Sequence, residues 1–407
     1  MHTIRGLWAI WAIFLVLLAA SPSQAAAAPE IVGGSAAVID SKNGQVLFEK
    51  NMRQRMYPAS TTKILTAIIA LEKGRPADMV TISGEACNIE GSAIGLDEGE
   101  KISLEDLLYA LMLNSGNDSA VAIASYIGGS VDGFVDLMNK KAAELGAVNT
   151  HFNNPNGLPD PNHYSTAYDM AVIARYAMQN PEFRKIVATE TKDICREDPN
   201  AQTYLLNHNK LLWQYEGANG IKTGYTELAG QCLVASAARQ GRELIAVVLG
   251  SEGTNIWSDA KVLLDYGFVE FNSVSVTEAG KRITDVPVRF GVSDSTPVLT
   301  SCSLTYDFPR NKQYEIRQEV RLKEKIIAPV EAGEKLGEVA FFANDREIGR
   351  VDLVSKQAVQ RKMPARLWLY LFVALALFTV RAIFRYHKNR RRNQWLRFSK
   401  RKNYFKI

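Results

Sequence analysis

Two short apolar stretches near the start of the chain, Ser35–Asp40 and Gln45–Lys50, flank Ser41-Lys42-Asn43-Gly44 and predict a strand pair joined by a turn. Helical periodicity then takes over. Ser60–Gly74 carries Ile64, Leu65, Ile68, Ile69 and Leu71, apolar on more than one side, as in a helix that lies inside a core. Ser103 with Asp106 reads as a capping box opening the next helix, before Leu107, Leu108 and Leu111. Two more helices are expected over Val131–Leu145 and Thr166–Gln179. Strands return at Gln231–Ala238 and Glu243–Gly250, either side of Arg239-Gln240-Gly241-Arg242, and a helix near Asn255–Tyr266 closes the region. Strands at both ends with helices between predict an α+β fold, an antiparallel sheet covered by helices, over residues 31–270.

From about Ser273 to Ser355 the pattern shortens to stretches such as Val286–Phe290, Glu319–Lys323 and Gly349–Val354, punctuated by Pro297, Pro329, Gly333 and Gly337. That is the pattern of a small β-domain over 273–355, with Lys356–Arg366 as a linker beyond it. The two ends differ from both domains. Arg5, the apolar run Leu7–Ala20 and the exit Ser21-Pro22-Ser23-Gln24-Ala25 match a secretory signal peptide over residues 1–25. Leu367–Val380 is uncharged, and the apolar character resumes after Arg381 as far as Phe384. As a helix the eighteen residues 367–384 rise ~27 Å. That spans a ~30 Å hydrocarbon layer if Arg381 snorkels to the interface. Ten basic residues and no acid follow over 385–407, which predicts a cytoplasmic tail by the positive-inside rule.

The tail also explains the net charge. The whole chain is +5, so everything before the +10 tail sums to −5. The basic excess belongs to a membrane-flanking segment, and no nucleic-acid partner is expected. Cys87, Cys195, Cys232 and Cys302 form no C-x-x-C pair, so zinc is not indicated and free or buried thiols are expected.

Three short clusters carry candidate chemistry. In Ser60-Thr61-Thr62-Lys63 a hydroxyl and an amine lie one helical turn apart on the same face. A serine is a poor nucleophile until a neighbour takes its proton. Lysine can do so only when neutral, which requires bringing an ordinary value of ~10.4 down to near 7, against ~4 kcal/mol. Burial and a second cation both push that way. Ser115-Gly116-Asn117 reads as a tight turn aiming a hydroxyl and an amide into a cleft. Lys222-Thr223-Gly224, followed by Tyr225, places a cation and a hydroxyl on an edge strand, where they suit a carboxylate and where glycine admits a ligand to the backbone. Similar spacings at Ser399–Lys402 and Ser41–Asn43 read as accidental and as a hairpin turn.

In this order the clusters resemble the S-x-x-K, S-x-N and K-T-G motifs of penicillin-recognising serine enzymes. The stretches around them are similar to the D-alanyl-D-alanine carboxypeptidase family, the low-molecular-weight penicillin-binding proteins. They include YPASTTKILTAIIALE, LEDLLYALMLNSGNDSAVAIA, NGIKTGYT and LVASAARQGRELIAVVLG, and PVEAGEKLGEV resembles the family's C-terminal β-domain. The resemblance implies that Ser60 attacks the penultimate D-alanine with Lys63 as general base, and that Ser115 passes the proton to the departing D-alanine. It implies that the Ser60 and Tyr225 backbone N–H groups hold the oxyanion, Asn117 the substrate amide, and Lys222 and Thr223 the terminal carboxylate, beside Gly224. Peptidoglycan stem peptides are then the substrates, β-lactams covalent inhibitors, and no metal or cofactor is needed. Asn219 stands where many members have aspartate, and Asn156 where some have histidine. His163 and His208 read as loop hydrogen-bonders and Asp169 as a capping or positioning group. Rival readings are a class A-type β-lactamase, which needs an aspartate where this chain has Gly116, an endopeptidase or transpeptidase, and a non-catalytic sensing module.

Overall fold

The computed structural model describes residues 28–363 and 365–402; the expected signal peptide lies outside them. The chain divides into two units. The first holds the residues to Ser275 together with Thr305–Tyr314; the second holds Val276–Leu304 and everything from Glu315.

The first unit is organised by a five-stranded sheet of β1 (Ser35–Asp40), β2 (Val46–Lys50), β3 (Ala218–Thr226), β4 (Gly230–Arg239) and β5 (Arg242–Ser251). Its order is β2-β1-β5-β4-β3, antiparallel throughout, so β3 is an edge strand. Successive residues of a strand point to opposite faces, and here both faces are buried. Ala37, Ile39, Val234, Ile245, Val247 and Leu249 enter one apolar core, while Ala36, Val38, Leu233, Leu244, Ala246 and Val248 enter another. This two-sided burial is why the strands read as near-continuous apolar runs. The β4–β5 turn has φ +51° at Gln240 and +77° at Gly241, the paired left-handed geometry of a two-residue hairpin.

The first core contains α1 (Lys63–Lys73), α2 (Leu104–Met112), α3 (Asn117–Gly128), α4 (Val131–Glu144), α5 (Ala167–Ala177) and α6 (Pro181–Ala188); α7 (Asn255–Glu270) covers the other face. Residues 63–70 of α1 are all buried, in keeping with its lack of a polar face. Ser103 caps α2 by accepting from the Asp106 N–H. Thr166 caps α5 in the same way through Asp169. Helices α3 and α6 were not read from the sequence. In α3 the run Asn117–Ala124 is buried on every side, so small apolar and polar residues mix without a period.

In the second unit β6 (Arg282–Pro287), β7 (Ser295–Thr300), β8 (Ile316–Leu322), β9 (Lys335–Ala343) and β10 (Arg346–Ser355) form a sheet ordered β6-β7-β10-β9-β8. Two boundaries differ from the sequence reading. Thr305–Tyr314, expected inside the β-domain, belongs to the first unit, where Asp307 pairs with Arg242 at 2.9 Å. The expected linker from Lys356 begins inside the β-unit, since Val359 is buried in its core and bonds to Val330. The final helix α8 (Ala365–Lys402) runs well past Phe384 into the basic tail, and its Arg366–Leu396 portion is long and apolar enough to cross a membrane. All four cysteines are free thiols.

Candidate active site

Ser60 is the second residue of a 3₁₀ turn, Ala59–Thr62, that runs directly into α1. The sequence predicted an α-helix from Ser60; the tighter turn matters, because residues i and i+3 of a 3₁₀ turn eclipse. Lys63 therefore stands over Ser60, with its Nζ 2.9 Å from the Ser60 Oγ. Ala59 enters the turn at φ +47°, a left-handed conformation costing a non-glycine residue ~1–2 kcal/mol. Surrounding structure holds it there. A side chain at Gly157 would overlap the Ala59 carbonyl, and one at Gly224 would place its Cβ 2.8 Å from the Ser60 backbone nitrogen. Thr61 Oγ1 donates to the Pro58 carbonyl at 2.6 Å. His163 accepts from the Asn153 N–H on Nδ1 at 3.1 Å, so its Nε2–H donates to Thr62 Oγ1 at 2.9 Å. Burial pushes the His163 pKa down to about 4, and the ring stays neutral.

Lys63 is fully buried and donates to Asn117 Oδ1 and to the Asn156 carbonyl, both at 2.6 Å. Burial first, and the Lys222 charge second, hold its pKa well below the ordinary lysine range, against the opposing pull of Asp118. A neutral amine has two hydrogens and one lone pair. With both hydrogens given to these oxygens, the lone pair faces the Ser60 hydroxyl, ready to take its proton.

Ser115 and Asn117 are placed by the bend between α2 and α3. Ser115 is buried at φ +61°, and Asn117 is the first residue of α3. The Asn117 amide is engaged at both ends, because its Nδ2 donates to the Glu90 carbonyl at 2.6 Å. The Asn117 N–H donates to the Ser92 carbonyl at 2.7 Å. Buried Asp118 accepts from the Ile94 and Gly95 N–H groups at 2.8 and 2.9 Å, tying the 90–96 segment to the same bend.

The third cluster lies on edge strand β3. Lys222 is 1% exposed; its Nζ donates to the Thr223 carbonyl at 3.1 Å, and burial lowers its pKa to about 7. Gly224 lines the cavity at Ser60, and its bare Cα also lets β3 pack against the nucleophile's own turn. Ser60, Ser115, Thr223, Gly224 and Tyr225 line a cavity of about 270 Å³. A second cavity, about 670 Å³, shares Ser60 and Tyr225 and takes in Asn117, Asn156, Glu90 and Glu227. The residues of all three clusters are thus gathered around Ser60; Lys222 lines neither cavity but lies close enough that, after burial, its charge lowers the pKa values of Lys63 and His208.

Sequence reading missed the carbonyls of Asn156 and Glu90, since a backbone oxygen carries no residue signature. His208, read as a loop residue, lies in a loop that also lines the smaller cavity. Asn219 receives the Ser236 hydroxyl at 2.6 Å and donates to Glu243 at 2.7 Å, and Glu243 already pairs with Arg184. An aspartate there would set two carboxylates together, so the departure to asparagine fits its surroundings. Asp169 accepts from Asn149 and Thr150, both at 2.8 Å. Among the described residues no group of three or more His, Cys, Asp or Glu is placed to hold a metal ion.

The sequence profile of D-alanyl-D-alanine carboxypeptidases matches residues 22–253, and that of the penicillin-binding protein 5 C-terminal domain matches 271–361. The D-alanyl-D-alanine carboxypeptidase DacF of Bacillus subtilis is 34% identical over 335 residues, 80% of this chain and 86% of the relative. Penicillin-binding protein 5 from Haemophilus influenzae superposes with a TM-score of 0.73 at 33% identity, covering 82% of this chain and 99% of that one. The carboxypeptidase DacD from Francisella tularensis gives 0.62 at 29% identity, over 83% and 95%.

Proposed function

The chain belongs to the D-alanyl-D-alanine carboxypeptidase family, and on that premise we propose how its residues divide the work. It is a serine-type D-Ala-D-Ala carboxypeptidase, a hydrolase of the penicillin-binding class. Ser60 attacks the carbonyl of the penultimate D-alanine while Lys63 takes its proton. The observation that carries this is the 2.9 Å approach of a buried amine, whose pKa burial and then Lys222 hold well below the ordinary lysine range, to a hydroxyl at the meeting point of two cavities. The Ser60 and Tyr225 N–H groups face the developing oxyanion, an interaction worth ~2.7–4 kcal/mol per donor in comparable sites. Ser115 returns the proton to the departing amine. The terminal carboxylate lies along Thr223, over the positive charge of Lys222, which restricts trimming to a C-terminal residue. Asn117 sets the Lys63 amine through Oδ1, and its Nδ2 reaches substrate only by exchanging the Glu90 carbonyl. Water releases the acyl-enzyme; penicillins acylate Ser60 by the same attack.

We further propose that the C-terminal helix is a membrane anchor with the catalytic unit outside and the tail in the cytoplasm; the length and apolar character of the helix and the ten basic residues after it support this reading. Full-length protein in detergent, given a pentapeptide stem ending in D-Ala-D-Ala, is expected to release free D-alanine, and Ser60→Ala to release none. Cleavage of cross-linked peptides with no D-alanine released from the pentapeptide would overturn this assignment.

A further inference from the structure

Three short segments of the second unit are bonded together just before the C-terminal helix begins, with 289–292 in the middle. The Lys362 N–H donates to the Phe290 carbonyl at 2.7 Å and the Val292 N–H to the Gln360 carbonyl at 2.8 Å. The Arg289 N–H donates to the Ile326 carbonyl at 2.8 Å, and the Ala328 N–H to the Arg289 carbonyl at 2.9 Å. Inward, Val288, Ile326 and Val359 fill the unit's own core. Outward, Phe290, Val292, Ile327 and Met363 are 49–68% exposed. Phe290 is held there at φ +58°, a left-handed conformation that a bulky side chain rarely adopts. Large apolar groups gathered in this way on a surface mark a contact site. The cations of the same segments, Arg289, Lys325, Arg361 and Lys362, are exposed, and none pairs with a carboxylate among the described residues. The acids that flank them are Asp294 and Glu324.

We infer that this face of the β-unit docks on the bilayer surface, its apolar side chains entering the headgroup layer and its cations meeting anionic lipid headgroups. The inference rests on the reading of the C-terminal helix as a membrane anchor and extends it to a folded surface. Reach decides the occupant. Met363 precedes Arg366, where the portion able to cross a membrane begins, by three residues, which extend at most ~11 Å. Insertion of that portion therefore brings Met363, and the segments bonded to its neighbours, to the interface. Composition agrees, because aromatic and aliphatic side chains set among lysine and arginine suit a surface lying in the headgroup region. A second copy of the chain, docked face to face, would instead bring the same four cations against one another. The β-unit thus rests on the membrane instead of swinging on its anchor.

The test places the photo-crosslinker p-benzoyl-phenylalanine singly at Phe290, Val292, Ile316 or Leu371 of the full-length protein, reconstituted in phosphatidylglycerol vesicles, and reads lipid adducts by mass. Ile316 is the exposed apolar control, since β8 carries it ~20 Å from the Leu322 end that leads to Lys325. Leu371, within the apolar part of the final helix, reports on the anchor. Phe290 and Val292 should each form lipid adducts about fivefold or more above Ile316. Lys325→Glu/Lys362→Glu should cut those adducts about threefold and leave the Leu371 yield unchanged. Unchanged penicillin labelling and melting temperatures establish that the proteins are folded. Adducts at Leu371 with only the Ile316 background at both Phe290 and Val292 overturn the inference and leave the anchor standing. Crosslinks from those two positions to a second copy of the chain in place of lipid overturn it as well. Absence of lipid adducts at Leu371 would instead sink the anchor reading itself.

Discussion

Gly224→Ala asks whether the close packing of β3 against the nucleophile's turn is what positions the oxyanion donors. The added Cβ would lie 2.8 Å from the Ser60 nitrogen and 3.1 Å from both the Ala59 Cβ and the Thr61 nitrogen. Ordinary contact begins near 3.4 Å, so strand and turn must separate by about 0.6 Å. Neither can yield by rotating a side chain, because the nearest atom is backbone. Oxyanion donors act within a window of about 2.7–3.1 Å, so a shift of this size removes roughly one donor's worth of stabilisation, ~2.7–4 kcal/mol. The expected result is a fall of 10²–10³-fold in both D-alanine release and the rate of acylation by a fluorescent penicillin. Stability should drop by only the ~1–3 kcal/mol typical of overpacking. Gly34→Ala is the control, since its Cβ meets nothing closer than 3.6 Å and should be silent in both assays. Wild-type acylation by a folded Gly224→Ala protein would refute the argument.

Two further outcomes follow from charge. In Lys222→Gln the second of the two influences lowering the Lys63 pKa disappears, so that pKa rises and the acidic limb of the acylation-rate profile should move to higher pH; an unmoved limb would mean that burial alone keeps Lys63 neutral. His163, at about 4 in the fold against ~6.5 when unfolded, binds more protons unfolded than folded between those values. Its contribution is therefore complete above ~6.5 and is lost as pH falls through about 4, by up to ~3 kcal/mol. The difference in melting temperature between wild type and His163→Asn should narrow over that interval.

The chemistry proposed for the site and the broad order of elements could both be read along the chain. The hairpin β4–β5 and the capped starts of α2 and α5 were legible because a turn or a cap is a local contest between neighbouring residues. The three motifs were legible because hydroxyl and amine types recur at fixed local spacing. The apolar C-terminal segment was legible for a similar reason, since spanning is a matter of continuous composition. The rest was set by contacts between distant parts of the chain. Helix α3 has no period to read because it is buried on all sides. The 3₁₀ turn at Ser60 is imposed by Gly157 and Gly224, one about a hundred and the other more than a hundred and fifty residues away. The partners of Lys63, two of them the Asn156 carbonyl and an amide held in turn by the Glu90 carbonyl, are set by where distant loops pass. His208, Glu90 and Glu227 are unremarkable in sequence until the fold brings them to the two cavities that share one hydroxyl. Local pattern registers energies between neighbours; a depressed lysine pKa is a sum over groups that only folding brings together.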